Sequence, residues 1–284
     1  MNKGDFKYWT PSEEDGASIA SKLIRGPDDS KLVACLPGLG LDATMFLHFA
    51  DYFKKYLSIL SVSSPGHGYS DPLPSGDYGI DYMVDLFHEY LTSETKTNGN
   101  DKISLIGFSL GGLYSIRYAA KHPNEVSSLV LVSIDYTNPY KAKPKTTLKK
   151  VKKYIDWKGS SVDNRDKTID FSEFVGRSEG EIKRMIAKAA DKDVMIKMVE
   201  GGWDYDGRKD LKTIAEAGIP VLFVYGKGDC FMSNEAIAEA TKSFREDQCN
   251  VVAVPGKHSF PISDPEVFNL AVEPHLEFLG LNWI

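Results

Sequence analysis

Residues 107–111 read GFSLG, between KISLI (102–106) and GLYSIRYAAKHP (112–123). One serine stands between two glycines. Before it runs an apolar stretch of strand character, and after it a stretch of helical spacing that Pro123 stops. The pentapeptide alone is weak; strand, sharp turn and helix in that order make it a nucleophile elbow. That context predicts Ser109 at the tip of a strained turn. Gly107 and Gly111 would be small because strand and helix approach too closely for side chains, and Gly112 would let the helix lie tight on the sheet. The Ser109 hydroxyl then emerges at the carboxyl edge of the strands, where open α/β sheets place ligands.

The rest of the chain alternates in the same rhythm. Strand-like runs are read at 6–10, 18–24, 31–36, 57–63, 102–108, 127–133, 219–226 and 249–254. Helical spacing is read at 43–56, with Phe46, Phe49 and Phe53 on one side, and at 81–93, 110–122, 234–244 and 264–280. GPDDS (26–30) is a turn signal, so the opening strands read as hairpins along one sheet edge. Strands alternating with helices imply an α/β fold: a mostly parallel sheet with helices on both faces.

The alternation breaks at residues 137–215, too long for a plain loop. The reading is a core of residues 1–136 and 216–284, with a helical cap inserted at 137–215 over one end of the sheet. The apolar side of the insertion includes Met185, Met195, Met198 and Trp203, which suit a pocket roof and are the candidate substrate-binding residues. Its first part, KAKPKTTLKKVKKYIDWKG (141–159), holds eight lysines and one aspartate. It is either a solvated face or a positive collar for an anionic or carrier-linked substrate.

Serine needs a base, because its hydroxyl is a poor nucleophile at neutral pH. Of the six histidines, His258 lies in VPGKHSF, directly after the last strand, where a loop can carry its imidazole back over Ser109. His67, in SPGHGYSDP, is the rival. The histidine in turn needs an acid to hold its tautomer. Asp229, in YGKGD after strand 219–226, is preferred over Asp135, because its strand should neighbour that of His258. The oxyanion needs donors. The backbone N–H of Leu110 comes with the elbow, and that of Leu39, in the loop PGLG after strand 31–36, is the second.

PGLG, SPGHGYSDP, GFSLGG, YGKGD and GKHSF, in this order, resemble the α/β-hydrolase superfamily over nearly the whole chain, with the insertion as its cap. The stretch from LPGLGLDATMF to GFSLGG resembles, more loosely, small carboxylesterases of the pimeloyl-carrier-protein methyl ester esterase type. Many members carry His-Gly in the oxyanion loop; Pro37 before Gly38 keeps the backbone donor and changes the pocket wall. The resemblance implies a Ser109–Asp229–His258 triad and hydrolysis of a small-molecule ester or thioester, with no cofactor and no metal. Lactone, amide or C–C bond cleavage, cofactor-free peroxide chemistry and a non-enzymatic ligand receptor stay open, because fold does not fix substrate.

Composition agrees with a soluble globular chain: 284 residues, 42% hydrophobic and 26% charged. A net charge of −6 gives no reason to expect nucleic acid as a partner. No long uncharged apolar run and no apolar leader are found, so a cytoplasmic protein without membrane insertion is expected. Oligomeric state is not readable. Cys35, Cys230 and Cys249 lack metal-ligand spacing and read as reduced thiols. GGWDYDG (201–207) has the look of a calcium loop but lacks the later ligands, and reads as a turn.

Overall fold

The computed structural model describes residues 3–11, 16–97, 99–137, 174–178, 180–182, 191–202, 204–231 and 234–275. The lysine cluster, Met185 and Trp203 lie outside them. Eight strands form one sheet: β1 (Lys7–Trp9), β2 (Ile19–Ile24), β3 (Lys31–Leu36), β4 (Leu57–Val62), β5 (Ile103–Phe108), β6 (Val126–Val132), β7 (Val221–Gly226) and β8 (Cys249–Val254). Their order is β1-β2-β4-β3-β5-β6-β7-β8. β1 and β2 are antiparallel at one edge, β2 is antiparallel to β4, and every pairing from β4 to β8 is parallel.

The expected hairpin across GPDDS does not form. β2 pairs with β4, and β3 lies one strand further in. The turn signal is real: Ser30 N–H bonds the Pro27 carbonyl at 2.9 Å. But a turn specifies a reversal, not a partner. β3 is buried from Leu32 to Leu36 and so needs a neighbour on each side, which an edge hairpin would deny it.

The wholly apolar central strands still alternate between two cores. Leu32, Ala34, Leu105, Leu129, Leu131 and Phe223 face one; Val33, Cys35, Ile106, Val130, Val132 and Val224 face the other. The first core is covered by α2 (Ile80–Thr97) and α3 (Leu110–Lys121), and α5 (Arg208–Glu216) lies against α3. Arg117 on α3 binds Asp81 of α2 at 2.7 Å and Asp210 of α5 at 3.1 Å. The second core is covered by α1 (Leu47–Phe53), α7 (Phe260–Ser263) and α8 (Pro265–Val272). Phe46 and Phe49 meet Phe268 there, with Phe49 and Phe268 ring centroids 5.4 Å apart. α4 (Lys192–Gly201) and α6 (Asn234–Thr241) are further helices. No helix among the described residues is long and apolar enough to cross a membrane.

Four helices differ from the periodicity, two of them only in their ends: the one read at 81–93 runs on to Thr97, and the one read at 234–244 stops at Thr241. The stretch 43–56 splits into a 3-10 turn, Ala43–Phe46, and α1, which ends at Phe53. The stretch from 264 holds α8 only to Val272, after a separate short α7, and its last part lies outside the described residues. In the stretch 201–207, Gly201 ends α4, Asp206 accepts the Arg208 N–H and Gly207 donates to the Tyr136 carbonyl, and Trp203 lies outside the described residues.

Asp42 caps the 3-10 turn, accepting the Thr44 N–H at 2.8 Å and the Thr44 hydroxyl at 2.5 Å. Burial pushes its carboxyl up to about 6, against those two bonds. The folded value lies above the unfolded one. The folded state is therefore favoured at acid pH, and that contribution is lost as pH rises through about 6. Asp42→Asn keeps the cap and cannot ionise. Its stability relative to wild type should rise by up to about 3 kcal/mol between pH 4 and pH 8 in urea titrations; a pH-independent difference would show that the carboxylate carries no burial cost.

Candidate active site

The elbow has the predicted form. β5 ends at Phe108, and Ser109 follows with φ 51° and ψ −117°, one of two non-glycine residues with positive φ among those described. Such a backbone costs about 1–3 kcal/mol and must be held from outside. Ser109 N–H donates to the Val132 carbonyl on β6 at 2.9 Å, and the Gly112 N–H donates to the Ser109 carbonyl at 2.9 Å. The glycines are explained by contact. A Cβ on Gly111 would sit 2.0 Å from the Leu36 carbonyl oxygen, and one on Gly107 2.5 Å from the Gly112 Cα. One on Gly112 would meet Ile134 at 2.6 Å.

The loops that follow β7 and β8 are joined to each other. Lys227 N–H bonds the Val254 carbonyl, and Gly228 N–H bonds the Gly256 carbonyl, both at 2.8 Å. Gly226 must be glycine, because a Cβ there would lie 2.7 Å from the carbonyls of Gly256 and Lys257. This brace presents Asp229 and His258 side by side. His258 Nδ1 lies 2.8 Å from Asp229 Oδ2, and His258 Nε2 lies 3.1 Å from Ser109 Oγ. A carboxylate only accepts, so Nδ1 carries the proton and Nε2 turns its lone pair toward the serine. The Asp229 side chain is wholly buried, and its other oxygen accepts the Phe231 N–H at 2.9 Å. The rings of Phe108 and Phe231 flank the imidazole at 5.1 and 4.8 Å.

The alternatives are placed elsewhere. Asp135 accepts the Thr137 N–H and hydroxyl in its own turn. His67 is buried, with Nδ1 3.1 Å from the Pro65 carbonyl and Nε2 accepting the Gly40 N–H at 2.9 Å. Both ring nitrogens are thus engaged away from Ser109. Sequence reasoning missed this use of His67; its signal is the flanking pair Gly66 and Gly68, both with positive φ. It also missed Phe108 and Phe231, which are ordinary apolar residues until folding sets them on His258.

The Leu39 loop backs directly on the elbow. A Cβ on Gly38 would meet Phe108 at 2.9 Å and the Ser109 Cβ at 3.1 Å, and Leu41 N–H closes the turn on the Gly38 carbonyl at 3.1 Å. Leu110 lies in the first turn of α3, where amides have no partner one turn back. Met195 and Met198 are buried on α4, and Met198 packs in the first core.

A second polar cluster, His88, His122 and Glu125, has ligand atoms within 4.8 Å of one another. Its imidazoles are stacked, centroids 3.6 Å apart and planes 3° from parallel. An ion bound by both rings must lie in both planes, and parallel offset planes share no point, so this arrangement does not fit a metal. His88 instead meets the Glu125 carboxylate at 3.0 Å. Burial, then the His88 ring, hold His122 below the usual histidine value. The cluster sits past the far end of α3, about 18 Å of helix from Ser109.

Residues 31–265 match the family described as the alpha/beta hydrolase fold. A 1-acylglycerol-3-phosphate O-acyltransferase of Arabidopsis thaliana is 25% identical over 94% of this chain and 71% of its own length. A pimeloyl-[acyl-carrier protein] methyl ester esterase of Chromobacterium violaceum is 34% identical over 111 residues, 39% of this chain and 38% of its own. A crystal structure from work on carboxylesterases of Nitrososphaera gargenis covers 96% of this chain and 99% of its own, with TM-score 0.75 at 16% identity, a likeness of fold.

The contacts at the elbow make its first glycine pair unequal to ordinary ones. Gly111→Ala should cost about 3 kcal/mol or more, because the intruded atom is a backbone carbonyl that cannot step aside. Gly180→Ala, with nothing within 4 Å, should be neutral within about 0.5 kcal/mol. Urea midpoints of the two variants make the comparison, and equal midpoints would contradict the packing argument.

Proposed function

Because the chain belongs to the alpha/beta hydrolase fold family, we propose that it is a serine hydrolase that cleaves a carboxylic ester or thioester through an acyl-enzyme. The observation that carries this reading is the relay itself, His258 standing 2.8 Å from Asp229 and 3.1 Å from Ser109.

In the first half-reaction the Ser109 oxygen attacks the substrate carbonyl carbon while His258 Nε2 takes the hydroxyl proton. The N–H groups of Leu39 and Leu110 receive the charge that develops on the carbonyl oxygen. Asp229 keeps the proton on Nδ1 and stabilises the imidazolium without taking its proton. The tetrahedral intermediate collapses, the C–O or C–S bond breaks, and the alcohol or thiol leaves with the proton from Nε2. Water then attacks the acyl carbon, giving its proton to His258, and the acid leaves as Ser109 recovers its hydrogen. No step calls for a cofactor or metal.

The named esterase relative acts on a carrier-linked methyl ester, which supports an ester with a long or carrier-borne acyl group. The named acyltransferase relative, aligned along most of this chain, supports a second fate for the same acyl-enzyme: capture by an alcohol instead of water. The cap reading is kept as part of the proposal, with Met195 and Met198 as its described apolar side chains. The insertion is kept at 137–215, and α5 at its end lies against α3.

A fluorophosphonate probe should add one adduct, on Ser109. Ser109→Ala should lose roughly six orders of magnitude of ester turnover if the groups act as a unit. A folded, unlabelled Ser109 in protein that still turns over esters would remove it as the nucleophile. Asp229→Asn should lower kcat by about four orders of magnitude through the wrong histidine tautomer, and Asp135→Asn far less. Steady-state kinetics on p-nitrophenyl esters and acyl-CoA thioesters, with and without an added lysophospholipid acceptor, separate hydrolysis from transfer.

A further inference from the structure

His67 lies outside the relay, yet it is buried and both of its ring nitrogens are engaged. The Gly40 N–H can only donate, so Nε2 must carry a lone pair. Nδ1 therefore bears the single proton and donates it to the Pro65 carbonyl at 3.1 Å. The tautomer is fixed by two backbone groups, one from each of two loops.

Those loops are the one that carries Leu39 and the one that runs from Ser64 to Asp71. The second is held firmly. His67 N–H bonds the Ser64 carbonyl, Ser70 N–H bonds the His67 carbonyl, and Gly66 N–H bonds the Asp71 carbonyl, all at 2.9–3.0 Å. Ser70 Oγ accepts the Ala20 N–H of β2 at 2.8 Å, and Ser63 Oγ accepts the Ala43 N–H at 3.0 Å. A Cβ on Gly66 would strike Val194 of α4, and one on Gly68 would strike Asp42, both at 2.7 Å. The imidazole is thus presented by a loop with no slack. The Leu39 loop is the dependent partner. Gly38 rests on Ser109, Leu41 N–H closes on Gly38, and the Gly40 N–H is tied to His67. Gly40 itself has φ 78°.

We propose that His67 is a positioning residue for the oxyanion site: its neutral imidazole hangs the Pro37–Leu41 loop from the 64–71 loop and so sets the direction of the Leu39 N–H. The proposal rests on the reading of Leu39 as an oxyanion donor. It has a pH consequence. A protonated His67 would point an N–H at the Gly40 N–H across 2.9 Å, and that contact becomes repulsive. Burial already holds His67 below the usual histidine value, while the Pro65 carbonyl and the Asp191 carboxylate at the start of α4 oppose that. Asp42 lies beside Gly68, and the loop itself carries Tyr69 and Asp71. Acid should therefore release the oxyanion loop in a step separate from protonation of His258.

The test uses three measurements on the full chain. The ring 15N shifts of His67 report its tautomer at pH 7.5 whether or not the protein is active; the Nδ1–H form is expected, and the Nε2–H or doubly protonated form would overturn the proposal. His67→Leu keeps bulk and removes the acceptor. It should lower kcat for a p-nitrophenyl ester by about 100-fold, the scale of one lost oxyanion donor, with KM within about threefold. A kcat within twofold of wild type would overturn it. His67→Gln can accept the Gly40 N–H without a charge. It should recover most of the activity, and the acid limb of log kcat/KM should fall with slope one, against a steeper limb in wild type. Identical limbs in the two proteins would also overturn it, and this holds even if the leucine variant fails to fold. Fluorophosphonate labelling of wild-type Ser109 is read alongside. Its absence would sink the nucleophile reading, while the His67 tautomer would still be judged by its 15N shifts.

Discussion

The structure turns on the contact between the start of α3 and the end of β3. The Gly111 backbone lies against the Leu36 carbonyl so closely that a single added carbon would come within 2.0 Å of that oxygen. This approach lets the chain leave β5, reverse through Ser109 and enter α3 without lifting the helix off the sheet. It also forces the serine into a backbone that L-residues avoid. The strain is held by the β6 carbonyl of Val132 and by the first turn of α3. The rigidity of the site is therefore a property of the sheet, in which β3, β5 and β6 are adjacent.

A second brace brings the distant parts of the chain to that point. His258 follows β8, three strands from β5 and about 14 Å away across the sheet. Its loop is bound to the loop after β7 by two backbone hydrogen bonds, and the Asp229 carboxylate and two phenyl rings fix the imidazole in place. The low-polarity surroundings sharpen the Asp229–His258 contact, because a buried carboxylate with two donors has little else to bind. The His67 tie holds the loop whose Gly38 rests on Ser109. Three loops, each anchored by backbone groups, converge on one hydroxyl.

Much of this was legible along the chain. Glycine at 107, 111 and 112 could be read as close approach because no other residue type answers that need between a strand and a helix. Asp229 could be preferred over Asp135 because an acid must come from near the strand of the histidine, and the two follow β7 and β8, which pair. The alternation of strand and helix gave the parallel sheet and the strand limits to within a residue or two. The single long helix read at 43–56 broke into two because Asp42 caps a tighter turn, a local bond that periodicity does not register.

What the sequence by itself determined is therefore the set of elements and the chemical types at the strand ends, since these follow from periodicity and from residues with few conformational options. What only the tertiary structure decided is partnership. GPDDS specified a reversal, but the demand of β3 for two neighbours put β4 between the strands that the turn joins. His67 in its glycine-flanked loop carried the same chemical potential as His258. One became a backbone tie and the other the neighbour of Ser109 because burial between two loops supplied one with a donor and an acceptor from the main chain, while the β7–β8 brace supplied the other with a carboxylate and a hydroxyl. Hydrogen-bond partners are fixed by which loops meet, and that depends on strand order, which no local stretch of sequence encodes.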